Sequence, residues 1–236
     1  MSLDGYMDRL VASKGKNFAQ GIGAATGGKV PAATGLSRSI AMDVDAKSPD
    51  VEKIELPRRI VSDTKELVWD NTDKDAGVWT VDTPNTKVFS GFPKGREFDL
   101  GGVGIAVGET KLGWATVSLV SHDATGFGGD GRAAKILLAA TGLSHNSGAK
   151  FSSHGMSKIS CRGEDWGKAP VVNEGVPARI TLPAKAGRVK CRALDERGAP
   201  KGEVPVAADA EGRATIEIGP RYATVWYEII IEPASA

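Results

Sequence analysis

Ser121-His122-Asp123 brings together the residue types of a hydrolase triad: nucleophile, base and orienting acid. Triads are assembled in space from distant positions, because adjacent side chains on a strand point to opposite faces. These three therefore read as a strand end entering a turn, and no G-x-S-x-G elbow offers another nucleophile. Asp70, Asp73 and Asp75, with Asn71, carry hard oxygen ligands suited to Ca²⁺. Their spacing departs from D-x-[DN]-x-[DN]-G, and a hairpin turn uses the same residue types. Calcium stands as the alternative reading there, and no other cofactor is expected. Glu164 and Asp165 are adjacent and followed by Trp166, an arrangement able to touch a sugar. Glycoside hydrolysis needs two carboxylates about 5–10 Å apart across the bond, and nothing singles out a proton donor here.

The aromatic residues carry more weight. Five Trp stand in a chain only 6% aromatic. A Trp face laid on the C–H side of a pyranose buries on the order of 100 Å², worth about 2–3 kcal/mol. Trp166 and Trp69 adjoin turn or loop residues and are the expected sugar platforms. Trp79, Trp114 and Trp226 lie within strand patterns and are expected to pack. His122, His145 and His154 are scattered, and Cys161 and Cys191 lack C-x-x-C spacing, so a metal centre is not indicated. The two Cys read either as a pair in an oxidising compartment or as separate buried thiols. Gly21-x-Gly23, Gly102-x-Gly104 and the loop Gly128 to Arg132 lack the spacing that cradles phosphate.

Strands must position these residues. Ser62–Asp70 and Val78–Phe89 alternate apolar and polar residues around an Asp/Asn-rich turn, the signature of half-buried strands. Gly113–Ser121 sets Trp114, Thr116, Ser118 and Val120 opposite Ala115, Val117 and Leu119. Residues 134–140 have helix formers, yet their flanks suit a central strand. The same alternation predicts strands near 59–63, 66–70, 77–83, 86–90, 96–107, 113–121, 134–141, 148–152 and 157–161. It continues near 169–173, 177–182, 187–195, 203–207, 212–218 and 222–232. Thirty Gly and 12 Pro suit many short strands and turns. The expected fold is all-β, an antiparallel β-sandwich of jelly-roll or Ig-like type. Residues 4–20 predict a short helix, within an N-terminal segment and linker spanning 1–57. A sandwich over 58–165 and a smaller Ig-like one over 166–236 follow, divided near Gly163–Gly167.

The 236 residues carry 30 basic and 29 acidic side chains. A balanced surface gives nucleic acid or an anionic membrane no long-range attraction. No apolar run reaches the roughly 20 residues that span a bilayer, and no signal peptide is visible.

Three segments carry a resemblance: Ser62–Phe92 (SDTKELVWDNTDKDAGVWTVDTPNTKVFSGF), Ala134–Gly148 (AKILLAATGLSHNSG) and Trp166–Glu228, which ends in Thr-Val-Trp-Tyr-Glu. Together they resemble the C-terminal β-rich region of large bacterial glycoside-hydrolase-like proteins with a TIM-type catalytic barrel. Asp4–Leu10 resembles the segment leaving that barrel. The likeness implies an accessory region of a polysaccharide-degrading protein, exported to the periplasm or outside the cell. Its partners would be a polysaccharide or oligosaccharide and the barrel itself. A barrel needs roughly 250 residues, so the implied chain is part of a larger protein and no catalytic residue maps onto it. The leading expectation is a non-catalytic region that binds glycan weakly or packs against the barrel. The alternative is an intact small β-sandwich glycosidase or polysaccharide lyase, with the three His as first suspects.

Overall fold

The computed structural model describes residues 28–37, 53–122, 124–154, 157–160 and 163–234. The expected helix over 4–20 lies outside the described residues, as does much of the linker over 21–57. Met1–Thr72 and Asp73–Ala236 form two units. In the first, a 3₁₀ helix at Ala32–Leu36 precedes the antiparallel hairpin of β1 (Arg59–Val61) and β2 (Leu67–Asp70). Ile60 stands opposite Trp69 in the register. The Ser62 hydroxyl accepts the Leu67 N–H at 3.0 Å, and the Ser62 N–H reaches Leu67 O at 2.9 Å, closing the turn.

The second unit is all-β. Its strands are β3 (Val78–Asp82), β4 (Thr86–Gly91), β5 (Glu97–Leu100), β6 (Val103–Val107), β7 (Ala115–Ser121) and β8 (Ala134–Thr141). Next come β9 (Ser144–Ser147), β10 (Ser152–His154), β11 (Ser157–Ser160), β12 (Lys168–Asn173), β13 (Ala178–Lys185) and β14 (Val189–Leu194). The chain ends with β15 (Pro200–Val204), β16 (Val206–Ala208), β17 (Arg213–Ile218) and β18 (Trp226–Ile231). One layer of this unit runs β3-β4-β7-β8-β18-β14-β15 and the other β16-β17-β13-β6-β5, with antiparallel pairing throughout both. This is a β-sandwich.

Period-2 alternation explains which side chains enter its core. Ala115, Val117 and Leu119 of β7 point inward, as do Ile136, Leu138 and Ala140 of β8 and Tyr227, Ile229 and Ile231 of β18. They meet Val103, Ile105, Ile180, Leu182, Ala214 and Ile216 of the facing layer in one apolar cluster. Phe89 and Phe98 join the layers with ring centroids 4.5 Å apart. Residues 134–140 are a strand because both neighbours, β7 and β18, pair with them. One buried charge, Lys87, is compensated by an ion pair with Asp82 and lies 5.4 Å from the Phe127 ring centre.

Some predicted strands divide. The span 96–107 becomes β5 and β6 because Gly101 and Gly102 turn the chain back. The span 203–207 falls across β15 and β16, which belong to different layers. Strands before and after Gly163–Gly167 also alternate within both layers: β18 pairs with β8 and β13 with β6. Described strand residues on both sides of Gly163–Gly167 therefore contribute to one core. Among the described residues no helix is long and apolar enough to cross a membrane.

Candidate functional site

Between β8 and β13 the chain leaves the sandwich for residues 142–177, forming two small antiparallel pairs, β9 with β12 and β10 with β11. Two devices hold this excursion. Glu174 accepts the Lys111 N–H at 2.7 Å with Oε1 and the Leu143 N–H at 3.0 Å with Oε2. Its own N–H donates to Leu143 O at 2.8 Å. The carboxylate comes so close to Gly142 that a Cβ there would stand 2.7 Å from Oε2. At the far end a 3₁₀ helix, Gly163–Trp166, delivers Trp166. Gly167 follows at φ +70°, where a Cβ would lie 2.4 Å from Ser147 O, so only glycine lets Trp166 and β9 approach this closely.

The result is a cleft of about 300 Å³ lined by His145, Asn146, Ala149, Phe151, Trp166 and Val171, with Ser144. Three of its apolar walls face solvent: Trp166 is 60% exposed, Val171 60% and Phe151 40%. Phe151 is fixed edge-on to His145, 5.3 Å between centroids. His145 Nδ1 lies 2.8 Å from Asn146 O. A carbonyl only accepts, so Nδ1 is the donor in this contact. The Ser144 hydroxyl donates to the Asn173 side-chain oxygen, and the Ser147 hydroxyl to Pro170 O at 2.9 Å. Chemically this is an aromatic and aliphatic floor bordered by hydroxyl, amide and imidazole groups.

The predicted platform Trp166 thus stands in a cleft. Asp165 is exposed beside it, with its carboxylate 3.8 Å from Lys150 Nζ and its backbone oxygen accepting the Lys150 N–H at 2.9 Å. The side chain of Glu164 lies outside the described residues. Trp69, expected to be exposed, is half-buried in β2, in the other unit, because it is a strand residue paired across the hairpin. Trp226, expected to pack, is 39% exposed. Strand parity decides this: Tyr227 takes the inward position, its hydroxyl 3.4 Å from Gly219 O, and Trp226 takes the opposite face. Trp79 and Trp114 are half-buried for the same reason, with Val78 and Ala115 holding the core positions beside them.

The other candidates do not converge. Ser121 points into the sandwich, His122 is exposed in the following turn, and Asp123 lies outside the described residues. His122 adjoins the Lys135 end of β8, whereas His145 follows its Thr141 end, so the length of that strand, ~20 Å, separates them. The side chain of His154 is outside the described residues. Asp70 accepts Thr72 N–H at 3.0 Å and the Thr72 hydroxyl at 2.6 Å. Asp73 accepts Asp75 N–H at 3.1 Å and pairs with Lys94 at 2.6 Å, a hydrogen bond that holds its carboxyl below the ordinary value. These carboxylates act as turn acceptors, and no group of three or more His, Cys, Asp or Glu suited to a metal occurs among the described residues. Cys191 is a buried free thiol, pushed up to about 12 by burial and the nearby Glu203 charge, and Cys161 lies outside the described residues.

Sequence reasoning did not find Phe151, His145, Asn146 or Val171 as partners of Trp166. The available signal was a cluster of aromatic and polar residues between two strand patterns; their pairing across β9 and β12 was not visible. Comparison with models of protein families, with curated proteins and with solved structures finds no match.

Proposed function

We propose that this chain is a non-catalytic carbohydrate-binding module of a polysaccharide-degrading protein, with Trp166 as the sugar platform. The observation that carries the reading is a Trp standing 60% exposed at a cleft whose other walls include Phe151 and Val171. A large ring held in water forfeits burial that a pyranose C–H face restores, about 2–3 kcal/mol for about 100 Å². Ser144, Asn146 and His145 border the floor with groups that match sugar hydroxyls. One platform with a few hydrogen bonds, less the cost of association, corresponds to a Kd of about 1 mM. The resemblance of Ser62–Phe92, Ala134–Gly148 and Trp166–Glu228 to accessory regions of glycoside-hydrolase-like proteins supports the same parent.

Affinity electrophoresis against xylan, mannan, β-glucan, laminarin, alginate and chitosan tests this. Retardation by at least one polysaccharide, abolished by Trp166→Ala, is the expected result. Unretarded migration on all of them, or retardation that survives Trp166→Ala with an unchanged circular dichroism spectrum, overturns it. A second reading, packing of this face against a catalytic barrel, is favoured by the exposure of Val171 and Val172 beside the Trp. Co-purification of this chain with its separately produced barrel, weakened by Val172→Lys, would support it.

A further inference from the structure

A second cleft, about 500 Å³, opens at the β14–β15 turn under Trp226, with Asn173, Asp195, Glu196, Lys201 and Thr224 in its walls. The backbone beneath its aromatic wall is held by Thr224. The backbone N–H of Trp226 donates to Thr224 Oγ1 at 3.1 Å, and the Thr224 hydroxyl donates to Leu194 O at 2.6 Å. Lys201 donates to Ala223 O at 3.0 Å. Asp195 accepts the Arg197 and Ala199 N–H groups with Oδ1 at 2.9 and 2.8 Å, which fixes its carboxylate.

The cleft is joined to the Trp166 cleft by a single cross-strand pair. Asn173 lines the second cleft and Ser144 the first. They are opposite one another in the β9–β12 register, and the Ser144 hydroxyl donates to Asn173. Val171 of the first cleft precedes Asn173 by two residues on a regular stretch of β12, so both side chains leave the same face about 7 Å apart. Two exposed Trp, one on either side of a hydroxyl–amide pair, suit successive sugars of one chain more than a lone terminal sugar. The ionisable walls are Asp195, Glu196 and Lys201, two acids against one base, a balance that repels uronate or sulfate groups.

We propose that the Trp226 cleft is a second sugar subsite and that the ligand is an extended neutral glycan spanning both clefts. This rests on the carbohydrate reading of Trp166. The test is isothermal titration of xylo-, manno-, cello- and laminari-oligosaccharides, from disaccharide to hexasaccharide, with oligogalacturonate as the anionic control. Wild-type affinity should climb about tenfold or more with length in one neutral series, a gain of about 1.4 kcal/mol. Trp226→Ala should flatten that climb and leave the disaccharide Kd unchanged, whereas Trp166→Ala should weaken every length. Asn173→Ala provides a second variant that does not touch the β18 strand, and it too should reduce the gain with length. An unaltered length dependence in both Trp226→Ala and Asn173→Ala overturns the second subsite while the Trp166 site stands. Affinity for oligogalacturonate above that for every neutral series overturns the neutral class. Silence of the wild type across all series, or indifference to Trp166→Ala, overturns the carbohydrate reading beneath it.

Discussion

Replacing Glu174 should loosen the excursion that carries the Trp166 cleft while leaving the sandwich topology intact. Its carboxylate accepts two backbone N–H groups, Lys111 at 2.7 Å and Leu143 at 3.0 Å, from two separate connections. Hydrogen bonds to a charged acceptor contribute about 1.5–3 kcal/mol each. The Lys111 bond is solvent-exposed and belongs at the low end. Glu174→Ala should therefore cost about 3–4.5 kcal/mol. Glu174→Gln keeps one acceptor oxygen but turns an NH₂ toward the other donor, and should cost about half as much. For a unit of this size that corresponds to a fall in Tm of roughly 5–15 °C for the Ala variant. Urea unfolding with an unchanged m-value gives the free energy, and hydrogen exchange locates it. The Leu143 amide should exchange much faster in the variant, while those of β7 and β8 follow only the global loss. Wild-type stability together with wild-type protection at Leu143 would refute the argument that this carboxylate anchors the excursion.

Arg188 presents a comparable case at the other end of the sandwich. Its guanidinium donates to Gly131 O at 2.8 Å, Arg132 O at 3.0 Å, Gly128 O at 3.3 Å and Glu232 O at 2.8 Å, tying the 128–132 loop to the end of β18. Arg188→Met should cost about 2–4 kcal/mol in urea unfolding, and Arg188→Lys should recover less than half, because a point charge cannot serve four carbonyls in a fork. Cys191, held up to about 12 against an ordinary 9.0, should resist iodoacetamide at pH 8 in the folded protein and react in urea, read by peptide mapping. The sign of its pH effect follows: above 9.0 the unfolded chain releases this proton while the folded chain keeps it. Its contribution to stability is complete below 9.0 and falls by up to about 1.4 kcal/mol per pH unit until about 12. Cys191→Ala should flatten that alkaline slope.

Much of the sandwich was legible from alternation. Ala115, Val117 and Leu119 were separable from Thr116, Ser118 and Val120 on sight, and the structure buries the first set and leaves the second at least partly open. Residues 134–140 read as a strand despite helix-forming Leu and Ala, because their flanks are turn residues. Trp166 was legible as exposed because it follows polar loop residues rather than lying in an alternating run. Trp226 departs from the expectation that it packs: alternation shows that it and Tyr227 point opposite ways, yet does not say which of the two faces the core.

Taken alone, the sequence determined the all-β class, most strand positions and which residues share a face, because these depend on a two-residue period and local turn chemistry. Tertiary structure decided what those faces meet. It paired β18 with β8 and β13 with β6, merging residues on both sides of Gly163–Gly167 into one core. It also joined Ser144 to Asn173 across 29 positions, setting two Trp clefts side by side. Strand partners are selected by the burial gained over the whole sandwich, and that selection depends on residues far apart in the chain.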